Sequence, residues 1–349
     1  MTGRGTELVR IAVLVLCAVI AIPGLCRADG PGTIRVSPVV LESSRLAVRE
    51  NPSLSAWKGL LSDRVRAMRA PARAVVLQGS AAVEPHAYEH DADRPGLLAL
   101  ADSVEILALV HWLARDEQAA GKASGLLWAW YLDSLTRMIP RMDALPDPEE
   151  ADAIMRTLDA ARLIRSSQAW TDADQRRLGS WCGAFLDWLE PKLAEAVPGE
   201  RAWLDALAGM LAVCAGRNSE AEALVSQGVV VALERINPDG SLGSEFEADD
   251  LRELAGMGAL FCVAESCGVN AWDMALPGRG TFRAALDHAE SSSTKEGQGL
   301  PGLAGKFPSR AVAGLFRRAA LVYGHERYLN FPDAILLEAS DRNLTHLAY

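Results

Sequence analysis

Between Thr171 and Leu189 the apolar positions Leu178, Trp181, Cys182, Phe185, Trp188 and Leu189 fall at steps of three and four, the spacing that puts them on one face of an α-helix. Thr171 stands ahead of that stripe with Asp174 three residues on, the pattern of a capping box. Trp203, Leu207, Met210 and Cys214 mark a second stripe, and Ser219 with Glu222 reads as a capping box opening a third helix toward Ile236. The same periodicity predicts helices near 97–116, 120–134, 150–167 and 249–266. Hardly any segment alternates polar and apolar residues as a half-buried strand would. The linkers between helices are short, so successive helices should fold back on one another as antiparallel hairpins. The stretch ESSSTKEGQGLPGLAGKFPS over 290–309 is of low complexity and reads as a loop. These patterns predict an all-α fold in one helical body.

The first 28 residues carry a different signal. Arg4 and Arg10 precede an apolar run from Ile11 to Ile22, followed by Pro23-Gly24 and by Ala28 before Asp29, the layout of a secretory signal peptide cut after Ala28. The run is shorter than the roughly 20 residues that a permanent bilayer span needs. Leu25, not a small residue, precedes Cys26, which weighs against a lipid anchor. No later segment reads as membrane-spanning, so a periplasmic or secreted domain over 29–349 is expected. Cleavage removes three arginines and one glutamate and takes the formal charge from −10 to −12. Nucleic acid and anionic membrane both demand a broad basic surface, and neither is expected as a partner. Cys182, Cys214, Cys262 and Cys267 lie in or beside apolar helical patterns, without metal-type spacing. Buried free thiols are the expected state, with one disulfide compatible with an oxidising compartment.

Few segments carry obvious chemistry. EPHAYEHDAD over 84–93 gathers His86, Tyr88, His90 and several carboxylates. Two histidines four apart suit a metal, but the glutamate that follows the first histidine in zincins is missing and the segment is bounded by prolines. A solvated or sugar-facing loop fits better, so no metal and no cofactor is expected. His111 shares a face with Leu100, Val104 and Leu107 and reads as a core or groove histidine. There is no Ser-His-Asp signature, Gly-rich phosphate loop or Cys-x-x-Cys pair. The nine tryptophans outnumber the seven phenylalanines and the five tyrosines. Most must be core, yet aromatic faces also stack on sugar rings. Trp203, one turn into its helix beside a polar loop, suits either use.

The stretch WAWYLDSLTRMIPRM over 128–142 contains Trp130, Tyr131, Leu132-Asp133, Thr136-Arg137-Met138 and Pro140. After it come SSQAWTDADQRRLGSWCGAFLDWL over 166–189, the GERAW turn over 199–203 and INPDGSLGSEF over 236–246, while HAY over 86–88 lies upstream. In content and order these segments resemble the alginate lyase family of polysaccharide lyases, across about residues 60–290. The resemblance implies an (α/α) toroid of antiparallel helical hairpins, exported, acting on uronate polymers without a cofactor. It also implies an acidic or neutral polysaccharide as partner.

The reaction of that family, β-elimination, must neutralise a uronate carboxylate, remove the C5 proton with a positioned base and protonate the departing glycosidic oxygen. In the family these tasks fall to an Asn-Asn-His run five to three residues before the tryptophan, an arginine just after the Asp-Gly-x-x-x-x-Glu turn, and a tyrosine some six residues later. Here Trp203 matches the tryptophan, and Asp239, Gly240 and Glu245 match the turn, so Trp203, Asp239 and Glu245 are the candidate substrate-binding residues. The Asn-Asn-His positions are Pro198, Gly199 and Glu200, and the arginine position is Ala248. No tyrosine occurs between Tyr131 and Tyr323, and no histidine between His111 and His288.

Two readings follow. An active lyase would use Glu200, His86 or Tyr88 as base and acid, with Arg201 or Arg252 holding the carboxylate. A non-catalytic relative would bind polysaccharide or serve as an envelope scaffold, which the loss of all the family's catalytic types favours. Glu200 and Arg201 also have a plainer explanation, as a carboxylate stabilised at a helix N-terminus beside a solvated arginine. In either case the start of the Trp203 helix and the Asp239-Gly240 turn should open on the same side of the toroid.

Overall fold

The computed structural model describes residues 33–72, 86–243, 247–295, 309–329 and 347–348. The predicted signal peptide, Glu245 and the 296–308 part of the predicted loop lie outside these residues. The elements run α1 (Pro38–Glu50), α2 (Ser55–Met68), β1 (His86–Tyr88), α3 (His90–Ala114), α4 (Glu117–Leu127), a π turn (Trp128–Leu132), β2 (Met138–Met142), α5 (Pro148–Leu163), α6 (Asp172–Leu189), α7 (Pro198–Cys214), α8 (Asn218–Glu234), α9 (Ala248–Ser266), α10 (Phe282–Lys295) and α11 (Ser309–Tyr323).

The expected hairpins form. Helices α3, α5, α7 and α9 pack side by side, α3 on α5, α5 on α7 and α7 on α9, with α11 following on α9. Buried residues run almost the whole length of α5 and α7, as an inner helix covered on all sides requires. These inner helices run in one direction. Arg94 at the start of α3 reaches Asp147 and Glu149 at the start of α5, and Trp203 near the start of α7 donates from Nε1 to the Arg252 carbonyl near the start of α9 at 2.9 Å. The helices α4, α6 and α8 between them are the return limbs. Arg310 on α11 contacts Glu105 on α3 at 2.7 Å and brings the array back to its first inner helix. The fold is an all-α (α/α) toroid, with one contiguous apolar core from Ile34 to Ala348.

The family-like signature of the sequence is structural. Trp130 is buried and lies so close to α3 that a Cβ on Gly96 would stand 3.3 Å from its ring. The Tyr131 hydroxyl bonds to Thr157 at 2.7 Å, and its ring meets Trp181 edge-on at 4.6 Å. Trp181 in turn donates to the Met138 carbonyl at 2.9 Å. One aromatic stack therefore ties α4, α5, α6 and β2 together, an arrangement that adds directional contacts to area burial.

The inner faces also carry a buried ion network. Asp152, Arg156 and Asp159 recur at helical spacing along α5 and are all at least nine-tenths buried. Arg156 pairs with Asp152 at 2.9 Å, Asp102 at 2.7 Å and Glu105 at 3.2 Å. Arg35, from the segment before α1, pairs with Asp152 at 2.7 Å, and the backbone N–H groups of Ile34 and Arg35 donate to Asp159 at 2.8 and 3.1 Å. Buried charges persist only when paired and hydrogen-bonded in this way.

Several local expectations are corrected. HAY is a strand, pairing in parallel with β2 through His86 opposite Met138, and His90 opens α3, so the segment is not a free loop. The Thr171–Asp174 capping box forms, but Ser219 and Glu222 make none. That helix starts at Asn218 after Arg217, without a side-chain cap, and the Arg217 guanidinium pairs with Asp187 of α6 at 2.6 Å. The predicted 120–134 helix widens into the π turn and stops at Asp133. Part of the predicted 290–309 loop is helical, in the last turns of α10. Among the described residues Cys182, Cys214, Cys262 and Cys267 are free thiols, with Cys182 and Cys214 hydrogen-bonded to each other and burial pushing the Cys182 thiol up.

Gly256 of α9 shows how tightly the inner helices meet. A Cβ at this position would stand 2.6 Å from Cδ1 of Trp203. Gly256→Ala is expected to destabilise the fold by about 1–3 kcal/mol through overpacking, read as a lowered urea midpoint at unchanged slope.

Candidate functional site

The parallel inner helices bring their N-termini to one end of the toroid, where backbone N–H groups and the helix dipoles favour negative charge. Their first turns supply acids: Asp91 and Asp93 on α3, Glu149 and Glu150 on α5, Glu200 on α7, Asp249 and Asp250 on α9. Asp147 is the N-cap of α5 and forms a reciprocal capping box with Glu150.

The centre of this end is a hydrogen-bonded cluster. Glu150 is fully buried and accepts the Tyr88 hydroxyl at 2.6 Å. The His90 ring lies beside it, Nδ1 to Oε1 at 3.0 Å, and His90 is partly exposed. With Nδ1 donating to Glu150, Nε2 is the nitrogen left with a free lone pair, 4.0 Å from Asp147. Burial raises the Glu150 pKa, against the bonds it accepts from Tyr88 and the Asp147 backbone. Burial likewise raises that of Tyr88, beyond any range in which the phenol would ionise. Arg94 closes the cluster with bonds to Asp147 at 3.1 Å and to Glu149.

Ligand atoms of His90, Asp147 and Glu150 lie within 4.8 Å of one another, a donor set that can hold a divalent cation. The two carboxylates already accept from protein donors. Glu150 accepts from Tyr88, the Asp147 backbone and His90. Asp147 accepts from Arg94 and the Glu150 backbone. His90, Asp147, Glu150 and Tyr88 thus form one hydrogen-bonded network of acidic and basic groups.

Glu200 stands at the third position of α7, partly exposed. Its pKa is raised, by burial first and by the charge of Asp147 second, with Arg252 acting in the opposite direction. The structure thus brings Glu200, Arg252, Asp147, Arg94 and His90 to one mouth. Arg252 divides its charge between this site and Asp249, at 3.1 Å. The Asp239-Gly240 turn joins the end of α8 to the start of α9, and because α8 returns antiparallel to α7, it lies at the end of the array where α7 and α9 begin.

Other predicted residues are placed differently. Trp203, expected to offer a face for sugar stacking, is fully buried, with its indole N–H used by Arg252, so its ring packs against α9. Tyr88 is also fully buried and reaches the mouth only through Glu150. Arg201 turns to the opposite side of α7, where it bonds to Asp205 at 2.8 Å and the Leu193 carbonyl at 2.7 Å. Asp239 builds its own turn, accepting from the Ser241 N–H at 3.0 Å and its hydroxyl at 2.8 Å, which hold it below the usual carboxylate range. Gly240 completes that turn at φ +89°, where a Cβ would also stand 2.4 Å from the Ala284 carbonyl oxygen. His86 enters through its backbone pairing with Met138, and Glu245 lies outside the described residues.

Sequence reasoning missed His90, Asp147 and Glu150 as a unit. The signal for the last two was present in Asp147-Pro-Glu-Glu150, a capping-box pattern with proline at the first helical position. Nothing local says that Glu150 would meet a histidine 60 residues earlier.

Comparisons with known proteins bear on the fold and the family. A search of curated proteins returned no significant match. Among solved structures, an alginate lyase from Bacteroides ovatus superposes with a TM-score of 0.74 at 16% sequence identity, covering 91% of this chain and 99% of that one. At that identity the likeness establishes the fold. The family model for alginate lyase matches residues 68–288, more than half of the chain and the region that holds every helix from α3 to α9, and on that match the chain belongs to the alginate lyase family.

Proposed function

We propose that this chain is an exported relative of the alginate lyases that binds polysaccharide at the mouth of its toroid and has lost efficient β-elimination of uronate polymers. One observation carries the reading: Glu200 occupies the turn where the family places its Asn-Asn-His run, beside Asp147 and with Arg252 partly committed to Asp249. Elimination needs positive or amide groups around the uronate carboxylate, so that the C5 proton becomes acidic. A mouth rimmed by Asp147, Glu149 and Glu200 supplies the wrong sign. Arg201, the other candidate cation, serves Asp205.

The experiment is calorimetry of the mature protein with acidic and neutral oligosaccharides. Glu200→Gln should tighten binding of uronate oligosaccharides by about two- to fivefold, the scale of removing one partly solvated like charge. Equal affinity of wild type and variant would remove Glu200 from the binding surface.

A second reading is favoured by the His90–Glu150 pair. A buried carboxylate that fixes an imidazole and leaves Nε2 toward the mouth is the geometry of a general base. Any residual lyase activity would then pass through His90. His90→Gln should abolish that activity and Glu200→Gln should leave it in place; the reverse result would return the base role to Glu200.

A further inference from the structure

We propose that Cys182 and Cys214 are a redox pair that closes to a disulfide between α6 and α7, with Cys214 as the attacking thiol and Cys182 as the resolving one. Cys182 lies in the second half of α6, and Cys214 is the last residue of α7, at the far end of that helix from Glu200. The pair therefore stands apart from the function proposed for the mouth.

Two features bring the sulfurs within bonding reach. The first is the close approach of the two helices. Gly179 and Gly183 flank Cys182 on the side of α6 that meets α7. A Cβ on Gly179 would stand 3.0 Å from the Cys214 carbonyl oxygen, and one on Gly183 would stand 3.6 Å from the Ala215 Cβ. The two Cβ atoms of a disulfide stand about 3.5–4.5 Å apart, so the positions next to the two cysteines already have the spacing that the bond requires. The second feature is the hydrogen bond between the thiols themselves. Cys262 and Cys267 are engaged elsewhere, Cys262 with Arg318 of α11 and Cys267 with Ser266.

Access and ionisation set the order of attack. Cys182 is 0% exposed, while Cys214 is 9% exposed in a terminal turn, where a helix opens most readily. The bond from Cys182, together with the Arg162 charge at the end of α5, outweighs burial and holds the Cys214 thiol below its ordinary value. Burial holds Cys182 above it. The thiolate is the nucleophile, so Cys214 attacks first. Its sulfur bonds to one sulfur of an organic disulfide, RSSR, whose S–S bond breaks and releases RS⁻. Cys182 then loses its proton to solvent, and its sulfur attacks that of Cys214 and expels the second RS⁻. The two cysteines are oxidised, RSSR is reduced, and the two RS⁻ take up the two protons that the cysteines gave up.

The test treats the purified, reduced mature chain in its folded state with excess oxidised glutathione, then denatures it, alkylates the remaining thiols and maps the tryptic peptides. Cleavage after Arg177, Lys192, Arg201 and Arg217 leaves the two cysteines in separate peptides, 178–192 and 202–217. These should appear joined and two hydrogens lighter than their sum, with Cys262 and Cys267 alkylated. The melting midpoint should rise by about 5 °C on oxidation and fall back on reduction. Cys182→Ala should trap glutathione on Cys214, whereas Cys214→Ala should leave Cys182 unmodified. Four alkylated cysteines, or a link that involves Cys262, Cys267 or a second chain, would overturn the proposal. Glutathione on Cys182 in the Cys214→Ala variant would overturn the order of attack. None of these outcomes touches the mouth, whose reading keeps its own test.

Discussion

Purified protein lacking residues 1–28 is expected to release unsaturated uronate from alginate at a rate several orders of magnitude below that of a lyase with a complete catalytic set. The expectation rests on how catalytic groups act. Members of such a set work as a unit, and removing any one of them typically costs as much as removing most of it. Here the three residues at the start of α7 are Pro198, Gly199 and Glu200, and Ala248 occupies the arginine position. The remaining candidates are diverted: Tyr88 is buried on Glu150, and Arg201 on Asp205. Charge acts in the same direction. A uronate carboxylate about 4 Å from the Glu200 carboxylate meets roughly 4 kcal/mol of repulsion at an effective dielectric near 20, before solvent reduces it. Ultraviolet absorbance of the unsaturated product reads the outcome directly. Robust turnover by the wild type, abolished by Glu200→Gln, would overturn the reading and make Glu200 the replacement base.

The second large effect concerns stability. Arg156→Ala should destabilise the fold by about 3–5 kcal/mol, the cost of leaving buried charge without its partner. Arg156 is the common partner of Asp152, Asp102 and Glu105, and its loss strands Asp152 with Arg35 alone. Acid should expose the same network. Burial by itself would raise the Asp152 pKa, yet Arg35 and Arg156 outweigh burial and hold it below the usual carboxylate range. A carboxyl whose pKa is lowered on folding contributes its full stability above its unfolded value, about 3.9, and loses it as pH falls below that value. The wild type should therefore retain this contribution down to about pH 4 and lose it below, while Arg156→Ala unfolds at a higher pH. Urea midpoints measured across acid pH give both results. A variant as stable as the wild type would show that the network adds nothing to the folded state.

Much of the fold was legible in the amino-acid order. Helices α6 and α7 announce themselves by apolar residues at steps of three and four, and Thr171 and Asp174 form the capping box their spacing predicts. These signals are legible because they are local, each depending on neighbours within one or two turns. The family resemblance, carried by segments such as the one around Trp130 and Tyr131, was likewise readable, since the order of short segments is itself a property of the chain.

The tertiary structure decided the rest, for reasons of distance along the chain. Tripeptide HAY has no periodicity of its own and became a strand only because β2 runs beside it. Ser219 and Glu222 carry the letters of a cap, but the helix begins two residues before the start that box predicts, at Asn218, next to Arg217, which Asp187 on another helix holds. An amphipathic stripe cannot say whether its edge faces solvent or a second helix. Trp203 fitted both until Gly256 of α9, lacking a side chain, let the inner helices close over it. The site followed the same rule: His90 and Glu150 are unremarkable apart, and became an acid–base pair because parallel packing of α3 and α5 brought their first turns together.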